Sequence, residues 1–486
     1  MPPERRDPTQ GTPFEAVIGL EVHVQLKTRT KMFCGCENRF GAEPNTLTCP
    51  VCLGQPGSLP TINRAAIEHA VRVGLACGCD IARSTKFDRK NYYYPDLPKN
   101  YQISQYDQPL CDGGGLDVAV GSERKRIGLT RIHLEEDAGK NIHAEGLPES
   151  WVDLNRAGVP LLEIVSRPDM RTPTEAGAYL RMLRLVMLYL DVSDCNMEEG
   201  SLRCDVNVSI RPRGSGVLET RTEIKNLNSF TNIENAIEHE IERQIALRAA
   251  GKEVVQETLH FDPVRGETRT LRGKEEAHDY RYFPEPDLAP LHIDEKWLES
   301  LRGTLPELPI ARYERFQSLG IQPYHADVLV RDKDLADFFE EGVKICSKPQ
   351  EIANWVVNAV KEETNARGVS AARIGISPAR LVSLVEAIEG GKVSKQKARD
   401  VFRSMLGNED AVDAVIASLG LGQVSDDAFL RAAVAEVIAE NPAAADDVRK
   451  GKKNSVNFLM GQVMRKTKGQ ANPGMVTKLI QEQLGG

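Results

Sequence analysis

Along AVIGLEVHVQL, Ile18, Leu20, Val22, Val24 and Leu26 alternate with Gly19, Glu21, His23 and Gln25. Successive side chains of a strand point to opposite faces, so this segment predicts a strand with an apolar face and a face carrying a carboxylate and an imidazole. The pattern recurs. GLTRIHLEE sets Thr130, Ile132 and Leu134 inward against Arg131, His133 and Glu135, with Glu136 at the strand end. PLLEIV embeds Glu163 in an apolar run, SLRCDVNVSI sets Arg203, Asp205, Asn207 and Ser209 against an apolar row, and ETRTEIKN offers Arg221, Glu223 and Lys225 together. One polar face is ordinary for an antiparallel sheet with solvent on one side. Repeated His, Glu, Asp and Asn, the metal-ligand types, are not, and they predict a sheet whose polar side lines a cavity around one or more divalent cations. An oxygen-rich set with a lone imidazole suits Mg²⁺ or Mn²⁺ better than zinc. A cation also explains IHLEEDAGK, where Glu135, Glu136 and Asp137 crowd together although like charges repel and a buried carboxylate needs compensation.

The chain of 486 residues is long enough for several cores. Strand-like segments interspersed with helices run to about residue 300, and alanine-rich helical pattern follows. The predicted class is α+β: a mostly antiparallel β-sheet cradle with flanking helices, an all-α helical domain, then a small all-α tail. The predicted divisions are a flexible extension over 1–14, a cradle over 15–300, a helical domain over 301–406 and a tail over 407–486. Within the cradle, helices are expected over Asn63–Cys77, over Pro173–Leu190 behind a Thr172/Glu175 capping box, and over Asn232–Ala250 closed by Gly251. The later helices are expected to run about 10–18 residues each, with a plausible link over Arg367–Ile376.

A net charge of −8 excludes a nonspecific nucleic-acid coat protein, leaving RNA only a local basic patch. No apolar run reaches the roughly 18 residues that span a bilayer, and the polar start MPPERRDPTQGTP has no signal-like core, so a cytoplasmic chain without a membrane partner is expected. The motif G-x-x-x-x-G-K-[ST] is missing, and GGGLDVAVG lacks dinucleotide spacing and reads as a hairpin turn. Carboxylate-held Mg²⁺ with Arg and Lys nearby is the equipment of phosphoryl transfer, which points to nucleotide chemistry without a P-loop. FDRKNYYYPDLPKNYQISQYDQP brings Arg89, Lys90, Lys99 and several tyrosines that can stack a base or form a core edge, and HDYRYFPEPDLAP reads as a structural segment. Cys34-x-Cys36 and Cys49-x-x-Cys52 match a closed, structural zinc site of four thiolates, while Cys77, Cys79, Cys111, Cys195, Cys204 and Cys346 read as buried thiols.

GLEVHVQL, the cysteine knuckle, KFDRKNYYYPDLPKNYQISQ, RIHLEEDAGK, DLNRAGVPLLEIVS, MEEGSLRCDVNVSIRP, EIKNLNSF and DYRYFPEPDLAPL, in that order, resemble the B subunits of the glutamyl/aspartyl-tRNA amidotransferases. The tail NFLMGQVMRKTKGQANPGMVTKLIQEQL resembles the same family, so the match runs from Glu15 onward. The resemblance implies an ATP-dependent carbon–nitrogen ligase that phosphorylates the side-chain carboxylate of Glu-tRNA(Gln) or Asp-tRNA(Asn), after which ammonia displaces phosphate. It implies a heterotrimer with a glutamine-hydrolysing amidase subunit and a small third subunit, and a misacylated tRNA as substrate. Carried onto this sequence, Glu21, His23, Glu135, Glu136, Glu163 and Glu223 would be catalytic and hold magnesium. Lys90, Arg203, Asp205, Asn207 and Lys225 would contact ATP or substrate, and Arg465, Lys466 and Lys468 would grip tRNA. The cofactors implied are ATP, Mg²⁺ and a structural Zn²⁺, the knuckle being present in some family members and absent from others. The competing reading is a zinc-bearing tRNA-binding adaptor without catalysis; a stand-alone amide ligase would need an ammonia source that no motif here supplies.

Overall fold

The alternation over residues 16–26 becomes strand β1, Phe14–Gln25, in this computed structural model. Ile18, Leu20, Val22, Val24 and Leu26 are all buried to 1% exposure or less, each contributing roughly 1.5–3 kcal/mol. Strands β2 (Glu123–Glu136), β3 (Pro160–Ser166), β4 (Leu202–Pro212) and β5 (Thr222–Leu227) join it in the order β5–β4–β1–β3–β2 at the centre of a ten-stranded sheet. These pairings are all antiparallel, whereas β5 runs parallel to Thr258–Asp262 on its other side. The expected α+β class with a mostly antiparallel cradle is what the chain forms. The structure describes residues 5–121, 123–143, 149–272, 279–422, 427–449, 453–467 and 471–485.

Helices cover the apolar side of the sheet. α1 (Arg64–Ala76) starts where the Asn63 side chain accepts from Ala65 N, and α2 (Pro173–Tyr189) where Thr172 Oγ1 accepts from Glu175 N at 3.1 Å. The Glu175 carboxylate accepts from Arg171 N at 2.6 Å, one residue ahead of the N-cap, so the capping box closes in a shifted form. α3 (Phe230–Ala249) begins two residues before the expected Asn232 because Ser229 takes the N-cap, accepting from Asn232 N at 3.1 Å. Ile67, Val71, Tyr179, Leu180, Leu183, Ile233, Ile237 and Ile241 pack with the strand residues into one core.

Several expectations shift. Thr130, expected inward, is exposed, and Leu129 is buried instead. Opposite Val165 and Ser166, β2 presents Arg131 and Leu129, so a bulge at Thr130 changes the phase of the strand. The segment expected to be a loose extension contributes Phe14 to β1. Before it, Arg5 donates to Asn235 Oδ1 at 2.6 Å and Thr9 is buried. A boundary at 300 would cut the helix Glu295–Arg302, which packs on α1; the two compact units divide between Ile310 and Ala311.

The second unit is helical throughout its described residues. Several of its helices have the expected length, among them Lys333–Ile345, Pro378–Glu389 and Asp427–Glu440, and Pro349–Trp355 runs on through a π turn over Val356–Val360 into Lys361–Arg367; others, such as the 7-residue Val412–Ser418, are shorter than expected. The helix Val412–Ser418 packs on Pro378–Glu389 and Ala398–Met405, while a separate core starts at Leu430. That core is built by α4 (Asp427–Glu440), α5 (Pro442–Arg449), α6 (Lys453–Lys466) and α7 (Pro473–Leu484). The packing therefore places the start of the tail core later than residue 407. No described helix is long and apolar enough to cross a membrane.

Gly113–Gly115 is not the expected hairpin turn: Cys111–Asp112 and Gly115–Val120 both pair antiparallel with β2, so the glycines form an irregular link along one edge, and the link is tight at Gly114. Its φ is +84°, and a Cβ there would meet Cys77 O and Cys79 Sγ at 2.7 Å. Gly114→Ala is expected to destabilise the cradle by about 2–4 kcal/mol, read as a lowered denaturant midpoint of the first unit.

Candidate active site

Strand register assembles the site. β1 pairs His23 with Glu163 of β3 and with Arg203 of β4, and β3 pairs Glu163 with His133 of β2. Directly opposed residues share a face, so a row crosses four strands as His133, Glu163, His23, Arg203. Glu135 enters from the next position on the same face of β2. Its Oε1 lies 3.8 Å from His23 Nε2, and Glu163 Oε2 lies 3.5 Å from both His23 Nε2 and His133 Nε2. One donor atom from each of His23, Glu135 and Glu163 falls within 4.8 Å of the other two, a span that one cation with bonds of about 2.0–2.4 Å can bridge. Ser104 Oγ holds Glu135 Oε2 at 3.2 Å.

A second acidic set adjoins it. Glu21 faces Asp205 across β1 and β4, and Asn207 faces Glu223 across β4 and β5. Asn207 Nδ2 donates to Glu21 Oε1 at 3.0 Å, while Lys225 Nζ lies 2.7 Å from Asp205 Oδ2 and 3.1 Å from Glu223 Oε1. Lys225 thus neutralises two carboxylates of this set and leaves Glu21 the least compensated.

The electrostatics follow from burial and crowding. Burial, and then the charges of Glu163, Glu223 and Asp205, push the Glu21 carboxyl up. Burial opposes the charged form of Glu163, but His133, His23 and Lys90 outweigh it and hold the group well below the usual carboxylate range. His23 moves up because Glu163 and Glu135 overcome the burial that works against its charge; His133, at 3% exposure, moves down because burial wins. Among the described residues, His133 Nδ1 is buried without a hydrogen-bond partner. Carboxylates, a neutral imidazole and an under-compensated Glu21 are donor chemistry that fits a hard divalent cation.

Lys90 sits over the Tyr280 ring at 5.0 Å, and the field of Glu135 and Glu163 keeps its charge despite burial. The two tyrosine-rich segments meet here. Asp88–Asn91 pairs with Tyr101–Ser104 and with Phe283–Pro284, and Tyr106 stacks on Tyr282 at 4.2 Å. Both segments build the wall carrying Lys90, so the second is structural, as expected, and borders the cavity as well. Its first residue, His278, lies outside the described residues.

Some expected site residues go elsewhere. Glu136, adjacent to Glu135, points to the other face by strand alternation, where it pairs with Lys99 and accepts from Ile103 N at 2.9 Å. Arg203 lies in the row, yet its guanidinium is engaged by Asp137 at 2.9 Å. Asp137 also accepts from Gln25 Nε2 at 2.8 Å. In the tail, Lys466 lies 2.8 Å from both Glu436 and Glu440 of α4, so the basic junction is partly neutralised; Arg465 is exposed, and Lys468 lies outside the described residues. His133, Lys99 and Asp137 were absent from the expected site set. Alternation from Glu135 already put His133 on the cavity face, but no signal in sequence paired Lys99 with Glu136. Cys34, Cys36, Cys49 and Cys52 bring their sulfurs within 4.8 Å of one another, and all ten cysteines are free of disulfides; Cys77, Cys79, Cys111, Cys195 and Cys204 are buried as expected, whereas Cys346, at the end of its helix, is only half-buried.

Residues 16–299 match the family model described as the GatB/GatE catalytic domain, and residues 337–484 the one described as the GatB domain. The class is therefore a catalytic cradle with a helical carboxy-terminal module. A chain from Nitratidesulfovibrio vulgaris strain DP4 is 54% identical over 97% of this chain and 99% of its own length, and one from Geobacter sulfurreducens is 53% identical over 97% and 100%. A third, from Carboxydothermus hydrogenoformans, is 50% identical over 97% and 99%. All three are named as the B subunit of aspartyl/glutamyl-tRNA(Asn/Gln) amidotransferase. The chain belongs to this family of amidotransferase B subunits, which makes it part of a ligase-type, multi-subunit enzyme.

The Asp137 pair generates a pH prediction. Burial alone would raise this carboxyl, but Arg203 and Arg156 hold it below its ordinary value, so its contribution is present above the usual carboxylate range and is lost as pH falls through the folded value. Asp137→Asn is expected to cost about 3 kcal/mol at neutral pH. In denaturant titrations the gap between native and variant should close as the solution is acidified.

Proposed function

We propose that this chain carries the ATP-dependent step of amide formation on Glu-tRNA(Gln) or Asp-tRNA(Asn). The side-chain carboxylate oxygen takes the γ-phosphoryl group of ATP and ADP leaves; ammonia then attacks the acyl carbon, the carbon–oxygen bond to phosphate breaks, and Gln-tRNA or Asn-tRNA results. A carboxylate is a poor electrophile, and the phosphate supplies its leaving group. The observation that carries this reading is the convergence of His23, Glu135 and Glu163 from three adjacent strands onto one point of a face that also holds Glu21, Asp205 and Glu223 and the cations Lys90, Arg203 and Lys225. An adaptor that merely held RNA would need no such convergence. The relatives' name supports the pair of tRNAs.

His23, Glu135 and Glu163, with Glu21 and Glu223 beside them, would hold Mg²⁺, which when bound offsets the charge on phosphate oxygens and polarises the phosphoryl group. Lys90 has no ion-pair partner within 4 Å among the described residues and faces the same carboxylates, so it is the cation placed to receive an anionic substrate group. Arg203 and Lys225 are tied to Asp137 and to Asp205 and Glu223, and in this reading they order the floor. Asn207 orients Glu21. Glu136 leaves the magnesium set, because its carboxylate is satisfied by Lys99 and Ile103.

The four cysteines would hold a structural Zn²⁺. Ammonia would come from an amidase subunit, with a small third subunit completing a heterotrimer, and the tail, through Arg465 and its neighbours, would contact the tRNA. A charged tRNA as substrate supports a cytoplasmic location. In the assembled complex, Glu135→Gln is expected to lower tRNA-dependent ATP consumption and product amide by at least about 10²-fold, while glutamine hydrolysis by the partner continues. Undiminished transamidation in that variant would reject the assignment.

A further inference from the structure

Lys31 is a buried cation that the proposed reaction does not use. Its side chain is fully buried, a placement lysine almost never takes unless its charge is met. Its ammonium donates to Leu47 O at 2.7 Å and stands 3.8 Å from Cys52 Sγ. No carboxylate lies within ion-pair distance of it among the described residues.

The surroundings fix this arrangement. Lys31 N donates to Cys36 O at 3.0 Å, so the backbone of the residue is attached to the first cysteine pair while its side chain reaches the second. Leu47 is itself held by Asn155, whose Oδ1 accepts from Leu47 N at 2.8 Å. A Cβ on Gly158 would lie 3.5 Å from Lys31 Cδ and 3.4 Å from Cys52 Cβ, so the aliphatic stem runs through a closed wall. The Cys49 and Cys52 sulfurs are 3.9 Å apart, close to the roughly 3.8 Å edge of a tetrahedron with zinc–sulfur bonds of about 2.3 Å. Four thiolates around one Zn²⁺ remain doubly negative, and Cys52 is itself buried. Cys34, Cys36 and Cys49 keep some exposure, but on the Cys52 side, where solvent does not reach the thiolate, a doubly negative centre needs a counter-charge.

We propose that Lys31 is the fixed counter-charge of the cysteine-held metal, its ammonium cancelling one of the two negative charges and allowing the Cys52 side of the knuckle to be buried against the cradle. Lys31 is thus a positioning residue acting through Cys52 and Leu47. Outer partners of this kind alter metal affinity by about 10–100-fold when removed.

The inference rests on the zinc reading, and the experiment separates the two. Zinc per full-length chain is measured first; a native chain purified in zinc without bound metal overturns both. With zinc present, its release to a chromophoric chelator is followed in native, Lys31→Met and Lys31→Gln chains, with circular dichroism reporting the fold. Both variants are expected to release zinc about tenfold faster. Release at the native rate in both overturns the proposal. A fast Lys31→Met beside a native-like Lys31→Gln also overturns it, because glutamine can still donate to Leu47 O without carrying charge. If either substitution yields insoluble chain, Cys36→His in the Lys31→Met background decides, since imidazole in place of one thiolate removes a negative charge. Restored folding and zinc retention support the counter-charge; continued loss of both overturns it.

Discussion

The antiparallel pairing of β1 between β3 and β4 is the constraint on which the rest of the cradle depends. Side chains alternate with a period of two, so a slip of one residue would turn Glu21 and His23 into the core and Leu20 and Val22 out of it. The apolar residues of β1 alone stand to lose several times 1.5–3 kcal/mol each in such a slip. Burial on one face therefore fixes the register that aligns His133, Glu163, His23 and Arg203 on the other. The core and the site are two readings of one pairing.

Charge balance then separates the parts of that polar face. Asp137 is satisfied by Arg203, Arg156 and Gln25, Glu136 by Lys99, and Asp205 with Glu223 by Lys225. Among the described residues, His23, Glu135 and Glu163 have each other, His133, Ser104 and the more distant charge of Lys90. A sheet that pairs most of its buried charges yet leaves these three ligand groups facing one point, with Glu21 beside them, offers donor chemistry that fits a cation. His133 lies beside the same point, 3.5 Å from Glu163, where burial works against its charged form.

What was legible in the sequence followed from local rules. Helix starts could be read at Thr172 and Asn63 because a cap is a one-residue signal, and the polar face could be read because strand period is fixed. The adjacent Glu135 and Glu136 show where such reading fails: both are acidic and both end β2, yet alternation sends them to opposite faces. The Thr130 bulge was hidden because it depends on the register against Val165 and Ser166, a non-local fact. Lys466 looked like a free cation because its partners, Glu436 and Glu440, lie a whole helix away in the chain. Pairings between distant segments, such as Lys99 with Glu136 or Arg203 with Asp137, have no signature in either segment alone.

Glu136 acquires a different meaning once its face is known. On one side it meets Lys99, whose stem lies against Gly54 in the turn after Cys52, so closely that a Cβ on that glycine would collide with it. On the other, a Cβ on Gly158 would fall 3.8 Å from the Glu136 carboxylate and 3.4 Å from Cys52 Cβ. Backbone bonds continue the wall: Met32 N donates to Gly158 O at 2.8 Å, Gly158 N to Asp137 O at 2.9 Å, and Asp137 N to Val159 O at 2.8 Å. The cysteine knuckle and the acidic face thus share one wall, with glycines at the two points of closest approach. Of the two neighbouring glutamates, one faces the cavity with His23 and Glu163 and the other ties the knuckle to the strand end that presents its neighbour. Loosening the knuckle therefore acts on Glu135 through a single peptide unit, a shorter route than the separation of the cysteines from the cavity in sequence would suggest.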